Sequence, residues 1–147
     1  MQILIKRVDK SLPLPQHEPG ASCFDFVCRE NAVINPKEIK LVPLNTVVKV
    51  PRGYTLLVFV RSSTPLKKGL TLANNVGIVD AFYNGDKDEI IAEFLNITDH
   101  VVKVTKGEML VQGLFIKHIE VTWQEVDRMK DKGVGGYKAD LVKPNKK

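Results

Sequence analysis

Asp80 and Tyr83 lie three positions apart in the stretch Asn74 to Gly85, Asn-Asn-Val-Gly-Ile-Val-Asp-Ala-Phe-Tyr-Asn-Gly. A carboxylate can take a proton from water, and a phenol beside it offers a flat face and a hydroxyl. The stretch reads as a short hairpin: a β-branched run (Val76, Ile78, Val79), then Asp80, then an Asn84-Gly85 turn whose residues tolerate positive φ. Taken alone it is equally a surface turn. A second stretch, Arg61-Ser62-Ser63-Thr64-Pro65-Leu66-Lys67-Lys68-Gly69, reads as one to two turns of helix. Ser63 suits the N-cap, Pro65 the first turn and Gly69 the stop. A guanidinium, a hydroxyl and free amides at its start are groups that hold phosphate; the plainer alternative is a capped connector with a surface arginine. From Met129 onward, Lys-Asp-Lys-Gly-Val-Gly-Gly-Tyr-Lys cannot offset its ordering entropy by burial. It is either a disordered tail or a flap whose amides and cations close over phosphates while Tyr137 stacks.

The elements that must position these groups are short strands, punctuated by turns about every eight to twelve residues. Strands are expected over Met1–Val8, Cys23–Cys28, Ile39–Val42, Thr46–Val50, Glu89–Asn96, Val101–Val104, Met109–Phe115 and Ile119–Glu125. Thr55–Val60 is a continuous apolar run, expected to be buried on both faces. Pro13 to Pro19 forms a Pro-rich connector. The sequence holds no long amphipathic helix and no internal repeat. The pattern implies an all-β sandwich, jelly roll or barrel with one short helix: a single domain over residues 1–128 and a mobile arm over 129–147.

At 147 residues the chain can bury a core without covalent staples. No apolar run approaches the roughly 18–20 residues of a membrane span, which excludes a helical membrane protein. The N-terminus alternates like a strand rather than showing the layout of a secretory leader, and this favours the cytoplasm. Cys23 and Cys28 fall on opposite faces of one extended segment, so they read as reduced thiols. His17, His100 and His118 match no metal-ligand spacing. The net charge of +5 and pI near 9.2 suit a polyanionic partner. That partner is either nucleic acid or a small phosphorylated ligand, and no RNA-recognition or helix-turn-helix signature supports the first.

Five segments in order resemble the five motifs of the trimeric dUTP nucleotidohydrolase (dUTPase) family. Pro19-Gly20-Ala21-Ser22-Cys23-Phe24-Asp25-Phe26 resembles the first, and Val60-Arg61-Ser62-Ser63 the second. Gly77-Ile78-Val79-Asp80 with Tyr83-Asn84-Gly85 is similar to the third, Gly107 to Gln112 to the fourth, and Lys132-Gly133-Val134-Gly135-Gly136-Tyr137 to the fifth. The resemblance implies a jelly-roll-like homotrimer with sites between subunits, hydrolysing dUTP to dUMP and pyrophosphate with Mg²⁺. Asp80 matches the general base and Asp25 the carboxylate that holds Mg²⁺ through water. Arg61, Ser62, Ser63 and Gln112 match phosphate-side positions. Asn74, Gly77 and Val79 match the uracil pocket, and Tyr83 the residue under deoxyribose. Lys132 and Tyr137 match the arm's phosphate cation and its stacking ring.

Departures bear on the arm above all. Lys132 stands in place of arginine and loses the bidentate fork. Tyr137 replaces a phenylalanine, and Lys138-Ala139-Asp140 replace a hydroxyl- and glycine-rich run. Asp86-Lys87-Asp88 lengthen the loop after Gly85. Two rival readings follow. One is a dCTP deaminase or bifunctional enzyme, because Arg61-Ser62-Ser63 and Glu93 resemble that relative's segments. The other is a nucleotide or protein binder on the same fold that has lost turnover.

Overall fold

A computed structural model describes residues 1–130. In chain order it contains β1 (Ile5–Arg7), β2 (Phe24–Phe26), β3 (Ala32–Ile34), β4 (Ile39–Pro43), β5 (Thr46–Val48) and β6 (Tyr54–Val60). There follow α1 (Thr64–Lys68), β7 (Leu70–Leu72), β8 (Gly77–Val79), β9 (Ile91–Asn96), β10 (Val102–Val104) and β11 (Val111–Lys117). The longest ladder joins β6 to β11, antiparallel from Val111↔Val60 to Lys117↔Tyr54. It anchors a sheet of order β2-β11-β6-β8, which faces a second sheet of order β4-β9-β7; the pairs β1-β5 and β3-β10 complete the β layers. All pairings are antiparallel. The architecture is jelly-roll-like.

The core lies between the two larger sheets. Phe26, Leu56, Val58, Val79 and Val111 project from one, and Val42, Leu70, Leu72, Ala92 and Phe94 from the other, all buried. Each of the larger side chains, Ala92 apart, contributes roughly 1.5–3 kcal/mol on burial. Pro43, which lacks a ladder donor, is tolerated because β4 is an outer strand. Gly113, Val58 and Gly77 share one row across β11, β6 and β8. A Cβ on Gly113 would come within 2.7 Å of the Phe26 ring and 3.0 Å of Phe24, so this glycine makes room for the aromatic pair.

Several expectations need correcting. The strand expected over Thr55–Val60 buries only alternate residues, Leu56 and Val58, and leaves its other face half-covered. β1 keeps only Ile5–Arg7 of the expected Met1–Val8. β3 and β7, each three residues long, lay below the length at which alternation is readable. Ile119–Glu125 forms no strand: it finds no partner among the described residues, and Trp123 stands 94% exposed and Ile119 82%. Ser63 occupies the N-cap, but its backbone is already helical (φ −82°, ψ −16°) and its hydroxyl caps nothing. Gly69 does end the helix in the left-handed region at φ 66°.

Candidate active site

The residues expected on the phosphate side are assembled by the β2-β11-β6 ladder. Gln112 stands opposite Asp25 on one side and Phe59 on the other. Arg61 follows directly after β6; its N–H donates to the Leu110 carbonyl at 3.0 Å and its Nη1 to the Met109 carbonyl at 3.3 Å. Its Nε lies 3.3 Å from Asp25 Oδ1, and Gln112 Nε2 donates to the Val60 carbonyl at 3.3 Å. The buried Thr64 hydroxyl donates to the Leu110 carbonyl at 2.8 Å, fixing the start of α1 against the same strand. Ser62 is exposed and Ser63 partly so. Asp25, Arg61 and Met109 line an open cavity of about 610 Å³, together with Gln16, His17 and Glu18.

Those last three residues belong to the expected Pro-rich connector. Gln16 forms a two-way backbone bridge with Asp25 (3.1 and 2.6 Å), so the Pro-framed segment runs as a wall beside β2. The prolines around it signal extended chain; nothing in the sequence signals its partner.

The residues expected on the pyrimidine side gather elsewhere. Asn74, Gly77, Val79 and Tyr83 line a second cavity of about 310 Å³ with Leu41, Ile78, Ile90, Ile91 and Glu93. β8 is the outer strand of its sheet, so half of its backbone N–H and C=O groups face away from β6 and are open to a flat polar partner. A Cβ on Gly77 would meet Val58 Cβ at 3.3 Å, so glycine lets β8 sit close. The expected Asn84-Gly85 hairpin turn is not formed. Neither residue has positive φ; that conformation belongs to Asn75 (φ 60°), in the turn that carries the chain from β7 to β8. After Val79 the chain enters a loop closed by side chains: Asp88 Oδ2 accepts the Gly85 N–H at 2.7 Å, and Asn84 Nδ2 donates to the Ala81 carbonyl.

Asp80 is exposed in a shallow hollow with Ile78, Phe82 and Tyr83, and its Oδ1 accepts the Phe82 N–H at 2.8 Å. Tyr83 donates its hydroxyl to the Glu89 carbonyl at 2.8 Å. Burial, then the charges of Asp88 and Glu89, push the phenol above its usual 10.0, so it remains a donor at neutral pH.

These two groups of residues are not brought together within one chain. Val79 pairs with Leu56, so Asp80 leaves the sheet near the start of β6, whereas Arg61 leaves at its end. About 20 Å of strand lies between them. The expected site residues thus fall into two separate groups within the chain. Lys132 and Tyr137 lie outside the described residues, as does most of the expected arm.

The dUTPase family model matches residues 9–138. The chain belongs to the dUTPase family. A deoxyuridine 5'-triphosphate nucleotidohydrolase of Thermobifida fusca is 36% identical over 143 residues, covering 93% of this chain and 77% of that protein. The crystal structure of a dUTPase from Streptococcus mutans superposes with a TM-score of 0.74 at 32% identity, over 81% of this chain and 98% of the other. A mutant dUTPase from phage phi11 of Staphylococcus aureus, described with a structural Mg(II) ion, shares the fold: TM-score 0.80, 16% identity, 89% of this chain and 100% of that one. Glu93 adds a carboxylate to the wall of the cavity lined by Asn74, Gly77 and Tyr83.

Proposed function

We propose that this dUTPase-family chain hydrolyses dUTP to dUMP and pyrophosphate at sites shared between the subunits of a homotrimer. The observation that carries the reading is the split of its motif residues into two half-sites at opposite ends of β6. A second copy, docked so that its Arg61 end meets the first copy's Asp80 end, completes one site. The bare apolar strip of Ile119, Val121 and Trp123 supports contact between copies.

In this arrangement the outward backbone of β8 at Gly77 reads the uracil edge, whose O4 accepts and N3–H donates, with Asn74 beside it. Val79 and its neighbours wall the pocket against a thymine methyl. The Tyr83 ring packs on deoxyribose and leaves no room for a 2′-hydroxyl. Arg61, Ser62, Ser63 and Gln112 neutralise and orient the phosphates. Asp80 takes a proton from water as its oxygen attacks the α-phosphorus; the bond to the bridging oxygen breaks and pyrophosphate leaves. Asp25 fits the family's Mg²⁺: it is a hard, half-buried carboxylate beside a wide cavity, suited to an ion that keeps most of its waters. When bound, that ion would offset phosphate charge. The free thiols of Cys23 and Cys28 suit a reducing compartment such as the cytoplasm.

A second reading, deamination of dCTP, is favoured by Glu93 in the pyrimidine-side cavity. Supplying dUTP and dCTP separately distinguishes them. Pyrophosphate from dUTP alone is expected, with at least about a hundredfold loss in Asp80→Asn and retained nucleotide binding. Ammonia from dCTP would overturn this choice. Wild type as inactive as Asp80→Asn would leave a binding protein.

A further inference from the structure

We infer that Glu89, held by Arg29, is a positioning residue for Tyr83 and through it a determinant of which sugar the site accepts. This rests on the deoxyribonucleotide site proposed above. Tyr83 stands in an exposed loop, yet its ring is tethered by the hydroxyl that donates to the Glu89 carbonyl at 2.8 Å. Glu89 is itself fixed. Its Oε1 accepts both the Arg29 Nε at 2.8 Å and the Asn45 N–H at 2.8 Å, and its side chain is only 13% exposed.

The next residue tightens the hold. The Ile90 N–H donates to the Thr46 carbonyl, and the Ile90 carbonyl accepts the Leu44 N–H, both at 2.9 Å. Between them sits Asn45, fully buried at φ 62°, its Nδ2 donating to the Asp9 carbonyl at 3.0 Å. Glu89–Ile90 is thereby clasped to the turn between β4 and β5. The loop's other tie, Lys6 to the Asp86 carboxylate at 2.6 Å, joins exposed groups and holds less firmly.

A ring anchored this way cannot swing aside for a 2′-hydroxyl. Without the Glu89 carboxylate, the Asn45 N–H and the Arg29 Nε lose their acceptor, while Arg29 Nη1 keeps Glu30 Oε1 at 2.6 Å; the carbonyl that tethers Tyr83 drifts, and the ring yields.

Calorimetry with α,β-imido-dUTP and α,β-imido-UTP tests this, because it requires no turnover. Wild type is expected to prefer the deoxy form. Glu89→Ala and Tyr83→Phe should each cut that preference about tenfold, the worth of one well-placed hydrogen bond. The double variant should lose no more than either alone, and Glu89→Gln, which keeps the acceptor oxygen, should restore most of it. A purely structural role would lower the melting temperature and weaken both ligands together. An unchanged ratio in Tyr83→Phe or Glu89→Ala, or a wild type that does not discriminate, overturns the inference. Hydrolysis of dUTP measured in parallel separates the two failures: intact discrimination without pyrophosphate release counts against the proposed reaction alone.

Discussion

A carboxylate that activates water has to meet that water, and Asp80, proposed for that role, is exposed, with one oxygen turned by the Phe82 N–H. Elsewhere the same residue type does different work. Asp9 is held well below its ordinary 3.8 by the Lys106 ammonium at 2.6 Å and by the Ser11 hydroxyl and N–H. A carboxylate held low stabilises the fold above its free value, and that contribution drains away as pH falls below 3.8. Thermal melts on the acid side should therefore fall more steeply in wild type than in Asp9→Asn. Asp80 could be singled out from sequence because a tyrosine and a turn-like context surround it. The partner of Asp9 lies at the far end of the chain, and no local pattern announces it. Glu89 was legible only as the start of a strand, since its importance arises from Arg29 and Asn45, which are distant in sequence.

Among the elements, the long apolar runs were readable and the three-residue strands were not. β6, β9 and β11 hold enough residues for a pattern to register, whereas Ala32–Ile34 and Leu70–Leu72 become strands only through the neighbours they meet. The Asn84-Gly85 pair misled for a related reason: a favourable turn dipeptide forms a hairpin only if two strands flank it. Here β8 pairs with β6 instead, and Asp88 closes the loop. Gly113 gave no warning of its role either. Gly113→Ala puts a methyl group against the fully buried Phe26 and should cost about 1–3 kcal/mol, read as a lower denaturation midpoint with little change in slope.

For the whole molecule, the decisive feature is that Ile119–Trp123 finds no strand to join among the described residues while presenting side chains that water disfavours. In the proposed homotrimer, Trp123→Ser should loosen the assembly, shifting sedimentation toward smaller species and lowering dUTP turnover in step. The separation of Asp80 from Arg61 along β6 reaches further, into genetics. In the proposed shared site, a chain lacking a working Asp80 and a chain lacking a working Arg61 are each dead, yet each retains the half that the other has lost. Refolded together as an equal mixture, they should rebuild about one intact site in four, from statistical mixing across head-to-tail interfaces. Asp80→Asn and Arg61→Ala alleles carried in the same cell should therefore complement one another, although neither supports dUTP hydrolysis alone.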